Sequence, residues 1–402
     1  MLRARPTIQV MARLVLPSVL VAGCGGNGEG GDGTGATGGT ATTATAGTAS
    51  GGVTAGSAAT GGSTSASTSS GTTGGPGGSS ATSAGTAGTG EGACGNAPGQ
   101  LMHPDLPWNT PVDGAPVAAD SNDVIAYLEA NVGGNARFQI DFSLTILEAD
   151  ADTPFVPFTP TADHYSPDCD TAPIPVPDGG HIEGESGYVC EGGGDCHLIV
   201  VDEASCRLYE QWRANVPALD QASGGCLAVW DLSAPYDETL RGDYCTSADA
   251  AGLPIAPLLA TADEVAAGEI RHALRFIVPN AHIRADRYVR PATHSTPATS
   301  GPDQAPPYGA RLRLKADVDT SSLPPAAQVV AEAMKRYGII LADAGNITFT
   351  FASDDFSATT WDAVGLGPHD LKALAWSDFE VVDAGADIVW SDGSCSRRPI
   401  TR

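Results

Sequence analysis

The sequence predicts a mainly β fold: a two-sheet, sandwich-like domain with a few inserted helices, stapled by disulfides and preceded by a disordered tether. Three observations predict it. The run RFQIDFSLTIL alternates strictly, with Phe138, Ile140, Phe142, Leu144 and Ile146 on one face, which is the period of a half-buried strand. Eight cysteines fall at Cys94, Cys169, Cys190, Cys196, Cys206, Cys226, Cys245 and Cys395, an even set of the kind that staples exported domains. Residues 25–93 are almost wholly Gly, Ser, Thr and Ala, a composition that buries too little apolar surface to offset chain entropy.

The elements follow in chain order. SNDVIAYLEANVGG reads as a helix with a serine cap at Ser121 and a Gly-Gly stop. After the strand at 137–147, HLIVVD (197–202) and CRLYEQW (206–212) form a hairpin around the turn Glu203-Ala-Ser. CLAVWDL, HALRFIV, ARLRLKAD and NITFTFA are further strands. In ARLRLKAD the alternation of Arg311, Arg313 and Lys315 with Leu312 and Leu314 marks one wet face and one dry face. TADEVAAGEI carries Thr261 and Glu264 at capping-box spacing. PPAAQVVAEAMKRYG has proline at its start and glycine just past its end, and PHDLKALAW reads as a short helix. Proline-rich stretches such as TPFVPFTP and TAPIPVPDGG read as connections. No second low-complexity linker and no internal repeat interrupt residues 94–402, so they form one globular β-rich ectodomain or two tightly joined lobes.

The chain's start has its own logic. Arg3, Arg5 and Arg13 precede the apolar run Leu14 to Ala22, which is far shorter than the ~20 residues a membrane span needs. Charged, apolar and then small residues make a secretory signal over residues 1–23, with Met1 or Met11 as the start. Val21-Ala22-Gly23-Cys24 resembles the lipobox of bacterial lipoproteins, and the resemblance implies cleavage before Cys24 and lipidation of its sulfur. It also implies that Gly25, where retained lipoproteins of Gram-negative cells carry Asp, directs the protein to the outer membrane or cell surface. Residues 24–93 are then a lipidated cysteine and a flexible tether, with a reach of about 45 Å. Lipidation also accounts for the odd count of nine cysteines.

The formal net charge is −26. Without the three signal arginines the balance is 18 basic against 47 acidic side chains, or −29. Such a surface excludes nucleic acid as a partner, because that binding rests on Lys and Arg neutralising phosphate. Expected partners are a membrane through the N-terminal lipid and an extracellular polysaccharide or other surface component. The eight cysteines admit 105 pairings. Cys190 with Cys196 is the most economical local pair, and Cys94 with Cys395 is placed to clasp the two ends of the domain. No CxxC pair supports zinc.

The densest reactive cluster is GGHIEGESGYVCEGGGDCHLIVVD, residues 179–202. It carries the candidate catalytic or ligand-binding residues His181, Glu183, Glu185, His197 and Asp202 among glycines that let a backbone approach a ligand closely. On an extended strand Glu183 and Glu185 share a face, roughly 6.5–7 Å apart, a spacing compatible with acid–base cleavage of a glycan. A solvated, disulfide-stapled loop is the plain alternative. Other nucleophile motifs fail: GESGY lacks the last glycine of GxSxG, and no HExxH is present. SGGCLA resembles the serine-x-glycine-cysteine of peptidoglycan L,D-transpeptidases but lacks the basic residue that follows there. His272, beside an apolar strand, reads as a satisfied core or rim histidine. Calcium is the one cofactor the acidic turns admit, with Asp150, Asp152, Asp317 and Asp319 as candidate ligands. The six tryptophans would stack on sugars if exposed and pack the core if not.

Much of residues 180–383, including ARLRLKADVDTSSLPPAAQVVAEAMKRYGIILADAG and LKALAWSDFEVVD, is similar to a group of secreted bacterial proteins with no assigned activity. The resemblance implies a folded extracellular domain and no mechanism.

Overall fold

In the computed structural model, residues 93–133, 138–191 and 194–398 are described and lie in one compact unit. The expected signal, Cys24 and the tether through residue 92 lie outside them. Elements follow as α1 (Ser121–Asn131), β1 (Ile140–Leu144), β2 (Ile146–Glu148), β3 (Phe155–Val156), β4 (Phe158–Pro160), β5 (Ile174–Pro175), β6 (His197–Asp202), β7 (Arg207–Trp212), β8 (Asn215–Ala218), β9 (Gln221–Gly224) and β10 (Cys226–Asp231). The second half adds α2 (Ala262–Ala267), β11 (Leu274–Val278), β12 (Arg287–Tyr288), β13 (Arg311–Leu314), α3 (Pro325–Arg336), β14 (Ile339–Ala344), β15 (Phe349–Ala352), α4 (Trp361–Val364), β16 (Phe379–Val381) and β17 (Ile388–Val389).

The mainly β class holds, with two principal sheets. A six-stranded mixed sheet runs β1-β15-β11-β14-β13-β16 and a four-stranded sheet runs β10-β7-β6-β2. The long alternating segment is two strands. It pairs parallel to β15 as far as Leu144, passes the buried Thr145, and joins β6 in the other sheet from Ile146. One principal core joins the sheets: Ile199, Val201, Leu208 and Trp230 from the smaller meet Phe276, Leu341 and Phe349 from the larger. The smaller sheet is covered on its other face as well, by a second core of Val156, Ile174, Ile182, Leu198, Val200 and Leu227. HLIVVD is therefore continuously apolar because both faces of β6 are dry. The proline-rich connections carry that cover as short strands β3, β4 and β5, with Pro160 exposed at the end of β4 and Pro175 buried in β5.

Most expected elements form. Thr261 and Glu264 make a reciprocal capping box on α2. On α3, Ala327, Val330, Ala331 and Met334 face the core, and Gly338 follows at φ +75°. A Cβ at Gly338 would stand 2.5 Å from the Leu312 carbonyl oxygen, so only glycine closes this helix against β13.

Several expectations are corrected. Ser121 does not cap α1; its hydroxyl accepts from the Val381 N–H at 2.9 Å and pins the helix to β16. Arg311 and Arg313 are not on a wet face. The segment at 107–116 covers them, and Arg311 donates to the carbonyls of Tyr337, Pro107 and Thr110, while Arg313 pairs with Glu380 at 2.7 Å. PHDLKALAW is a series of turns, because the Pro368 carbonyl accepts from Ile140 on β1 while Lys372 N–H turns to His369. The central strand β14, fully buried, has no counterpart among the expected strands.

All eight cysteines named above are paired, as Cys94–Cys206, Cys169–Cys226, Cys190–Cys196 and Cys245–Cys395. The local pair forms as expected, and the Cys94–Cys395 clasp does not. Cys395 is held by a C-terminal segment that hydrogen-bonds along residues 241–243, beside Cys245, and Cys94 lies at the turn before β7.

Candidate functional site

The glycine-rich loop does not run extended. Ile182 N–H donates to Gly187 and Glu185 N–H to Ile182, a reversal that places Gly184 at φ +69°. The reversal sends the two glutamates apart. Glu185 accepts from Glu191 N–H at 2.7 Å beside the Cys190–Cys196 staple, whereas Glu183 reaches His197. Sharing one strand face is thus excluded for Glu183 and Glu185. Asp202 is remote from both, at the far end of β6, where it accepts from the Ser205 hydroxyl at 2.6 Å and the Ser205 N–H at 3.2 Å to close the hairpin turn. His181 lies against Asp355 at 3.2 Å and the exposed Phe356 ring at 5.5 Å.

What the fold does assemble is a charged network between the six-stranded sheet and this loop. Glu183 Oε2 stands 2.6 Å from His197 Nδ1, and His197 Nε2 is 3.2 Å from the Ala248 carbonyl. The Ser143 hydroxyl lies 3.2 Å from Glu183 and 2.9 Å from Asp141. Arg275 on β11 donates to Thr350 at 2.7 Å and to Asp249 at 3.1 Å, and stands 3.7 Å from Asp343.

The charges follow from burial set against partners. Burial opposes ionisation of both His197 and Glu183, and their mutual attraction outweighs it: His197 is pushed up to about 9 and Glu183 is held below its usual range. Burial raises Asp343 well above a normal carboxyl, and the neighbouring Asp249 adds to the effect. Asp141 is raised by burial and by Glu183. Glu183 thus has both oxygens engaged, in a network that ties the stapled loop to the large sheet. The partners Asp141, Asp249, Arg275 and Asp343 were invisible in the sequence, because each comes from a different strand or turn.

The calcium candidates stay apart. Asp150 accepts from Asp152 N–H and Thr153 to form a turn, Asp319 accepts from Ser321 N–H, and Asp152 and Asp317 project from exposed turns. Among the described residues, potential ligand atoms gather only as Asp168 with Cys245 and Cys395, and Glu185 with Cys190 and Cys196. In both groups the sulfurs are spent on each other. All six tryptophans are buried, none more than 7% exposed, so none forms a platform for sugar rings.

A cleft of about 320 Å³ opens instead between the four-stranded sheet, residues 97–101 and the start of α2. Leu101, Ile146, Val201 and Leu259 supply apolar walls, and Glu148, Glu203 and Glu264 supply carboxylates. His272 is the satisfied rim histidine the sequence suggested, 3.0 Å from Glu264 Oε1 and 2.9 Å from the Ala273 carbonyl. Compared with known proteins, the chain matches no family model, no curated protein and no solved structure.

Proposed function

We propose that the chain is an exported, lipid-anchored protein of the cell envelope, and that its ectodomain binds an extracellular glycan or another surface component. One observation carries the reading: the eight cysteines of the ectodomain pair completely with one another, which leaves Cys24, outside the described residues, as the ninth. Four disulfides persist in an oxidising compartment. A lone cysteine at the end of a short apolar run is where a lipoprotein takes its lipid. Among the described residues no helix is long and apolar enough to cross a membrane.

Binding fits the ectodomain better than cleavage. The glycan-hydrolase alternative needs a free carboxylate pair within residues 181–202, and Glu183, Glu185 and Asp202 are separated and occupied. The test is membrane fractionation of the wild-type chain and Cys24→Ser, with incorporation of a labelled fatty acid. The wild-type chain is expected to sediment with membranes and carry label, and the variant to be released without label. A variant that stays on membranes refutes the anchor.

A further inference from the structure

We infer that the cleft beside residues 97–101 binds a small organic cation, an ammonium group carried on an apolar body. The inference deepens the binding reading above and rests on it. Ile146 and Glu148, two apart on β2, share a face, and they line the cleft with Val201 of β6 and Glu203 of the turn that follows it. Glu148 is paired in register with Val201, and Glu203 lies two residues further along.

Their electrostatics are unbalanced. Glu264 is matched by His272, which burial pulls down but the adjacent Glu264 carboxylate raises more strongly. No Lys or Arg lines the cleft. Neither Glu148 nor Glu203 has an ion-pair or hydrogen-bond partner for its carboxylate among the described residues. Two like charges therefore stand over an apolar floor with no cation between them, on a chain that is acidic throughout. A ligand that brings one positive group relieves that repulsion, and its hydrocarbon part covers Leu101, Ile146 and Leu259. The volume is at the low end for ligand pockets, enough for one compact molecule or the terminal group of a larger one.

Phenethylamine is the probe, with 2-phenylethanol as its neutral counterpart, titrated calorimetrically into the full chain and into Glu148→Gln/Glu203→Gln. Phenethylamine is expected to bind with one equivalent, to weaken with added salt, and to exceed the alcohol in affinity. Each carboxylate accounts for roughly a two- to fivefold effect, the range of exposed ion pairs. Equal affinity for amine and alcohol, absence of saturable amine binding, or full amine affinity in the double variant overturns the inference. Near-ultraviolet circular dichroism of the variant establishes that it is folded. Retention of both proteins on insoluble envelope polysaccharide is measured alongside. Retention without amine binding overturns the ammonium inference and leaves the glycan reading standing. A wild-type chain that shows neither overturns both.

Discussion

Raising the pH from 6.5 to 9 should weaken the fold through a single pair, Glu183 and His197. His197 is only about one-tenth exposed and its pKa rises from the ordinary 6.5 to about 9. A folded-state value above the unfolded one gives stability that is complete below pH 6.5 and lost as pH climbs through 9. At 1.36 kcal/mol per unit, the interval of about 2.5 units is worth about 3 kcal/mol. The depressed Glu183 works in the opposite window, above pH 4.5, so near pH 6 both members are charged and the pair is at full strength. Glu183→Gln should therefore lose about 3 kcal/mol at pH 6 and far less at pH 9. Urea unfolding with disulfides intact, at pH 6, 7.5 and 9, gives both curves. Their difference isolates the pair from other groups such as Glu210, which burial pushes up to about 7. Replacing both partners with apolar residues of similar volume should be milder than removing one, because no unpaired buried charge is left. Parallel curves for wild type and Glu183→Gln across this range would refute the reasoning.

Two further outcomes follow from the same geometry. His294 is buried against the Ala250 carbonyl and pulled down to about 4; stability from this neutral imidazole is complete above pH 6.5 and falls by about 3 kcal/mol as pH drops through 4, read as an acid shift of the unfolding midpoint. Cys245–Cys395 spans 150 residues and Cys190–Cys196 only 6; by loop entropy, serine replacement of the first pair should destabilise by about 5 kcal/mol and of the second by about 2, compared by denaturant midpoints.

Local pattern was legible where one chemical reason decides structure. The runs at 197–202, 207–212, 226–231 and 274–278 are strands because their β-branched and aromatic content admits little else. Thr261 with Glu264 announced its helix for a similar reason, four residues holding both halves of the cap. Tertiary competition erased other signals. PHDLKALAW has a helical pattern, yet Ile140 takes the carbonyl that its first turn requires. Arg311 alternates with leucines as a surface residue would, and is covered by a segment 200 residues earlier whose carbonyls it satisfies. The site divided in the same manner. The loop 179–202 was recognisable by its glycines and acids, but which of its carboxylates met which base depended on the turn at Gly184. Glu203 was legible only as the start of a hairpin turn, and nothing joined it to Glu148, since one acidic residue at a strand end looks like any other in so acidic a chain.

The bond between Cys94 and Cys206 has a mechanical consequence. A pull applied at Ala93 reaches Cys94, where the load divides between the onward chain and the sulfur bridge. The bridge delivers it to the first residue before β7, a strand hydrogen-bonded on both sides, to β6 and to β10. The irregular segment between residues 95 and 120 is thus spared from peeling. Force is delivered instead to an inner strand held by a neighbour on each side. Reduction of that one bridge would turn the same pull into stepwise stripping of the domain's edge.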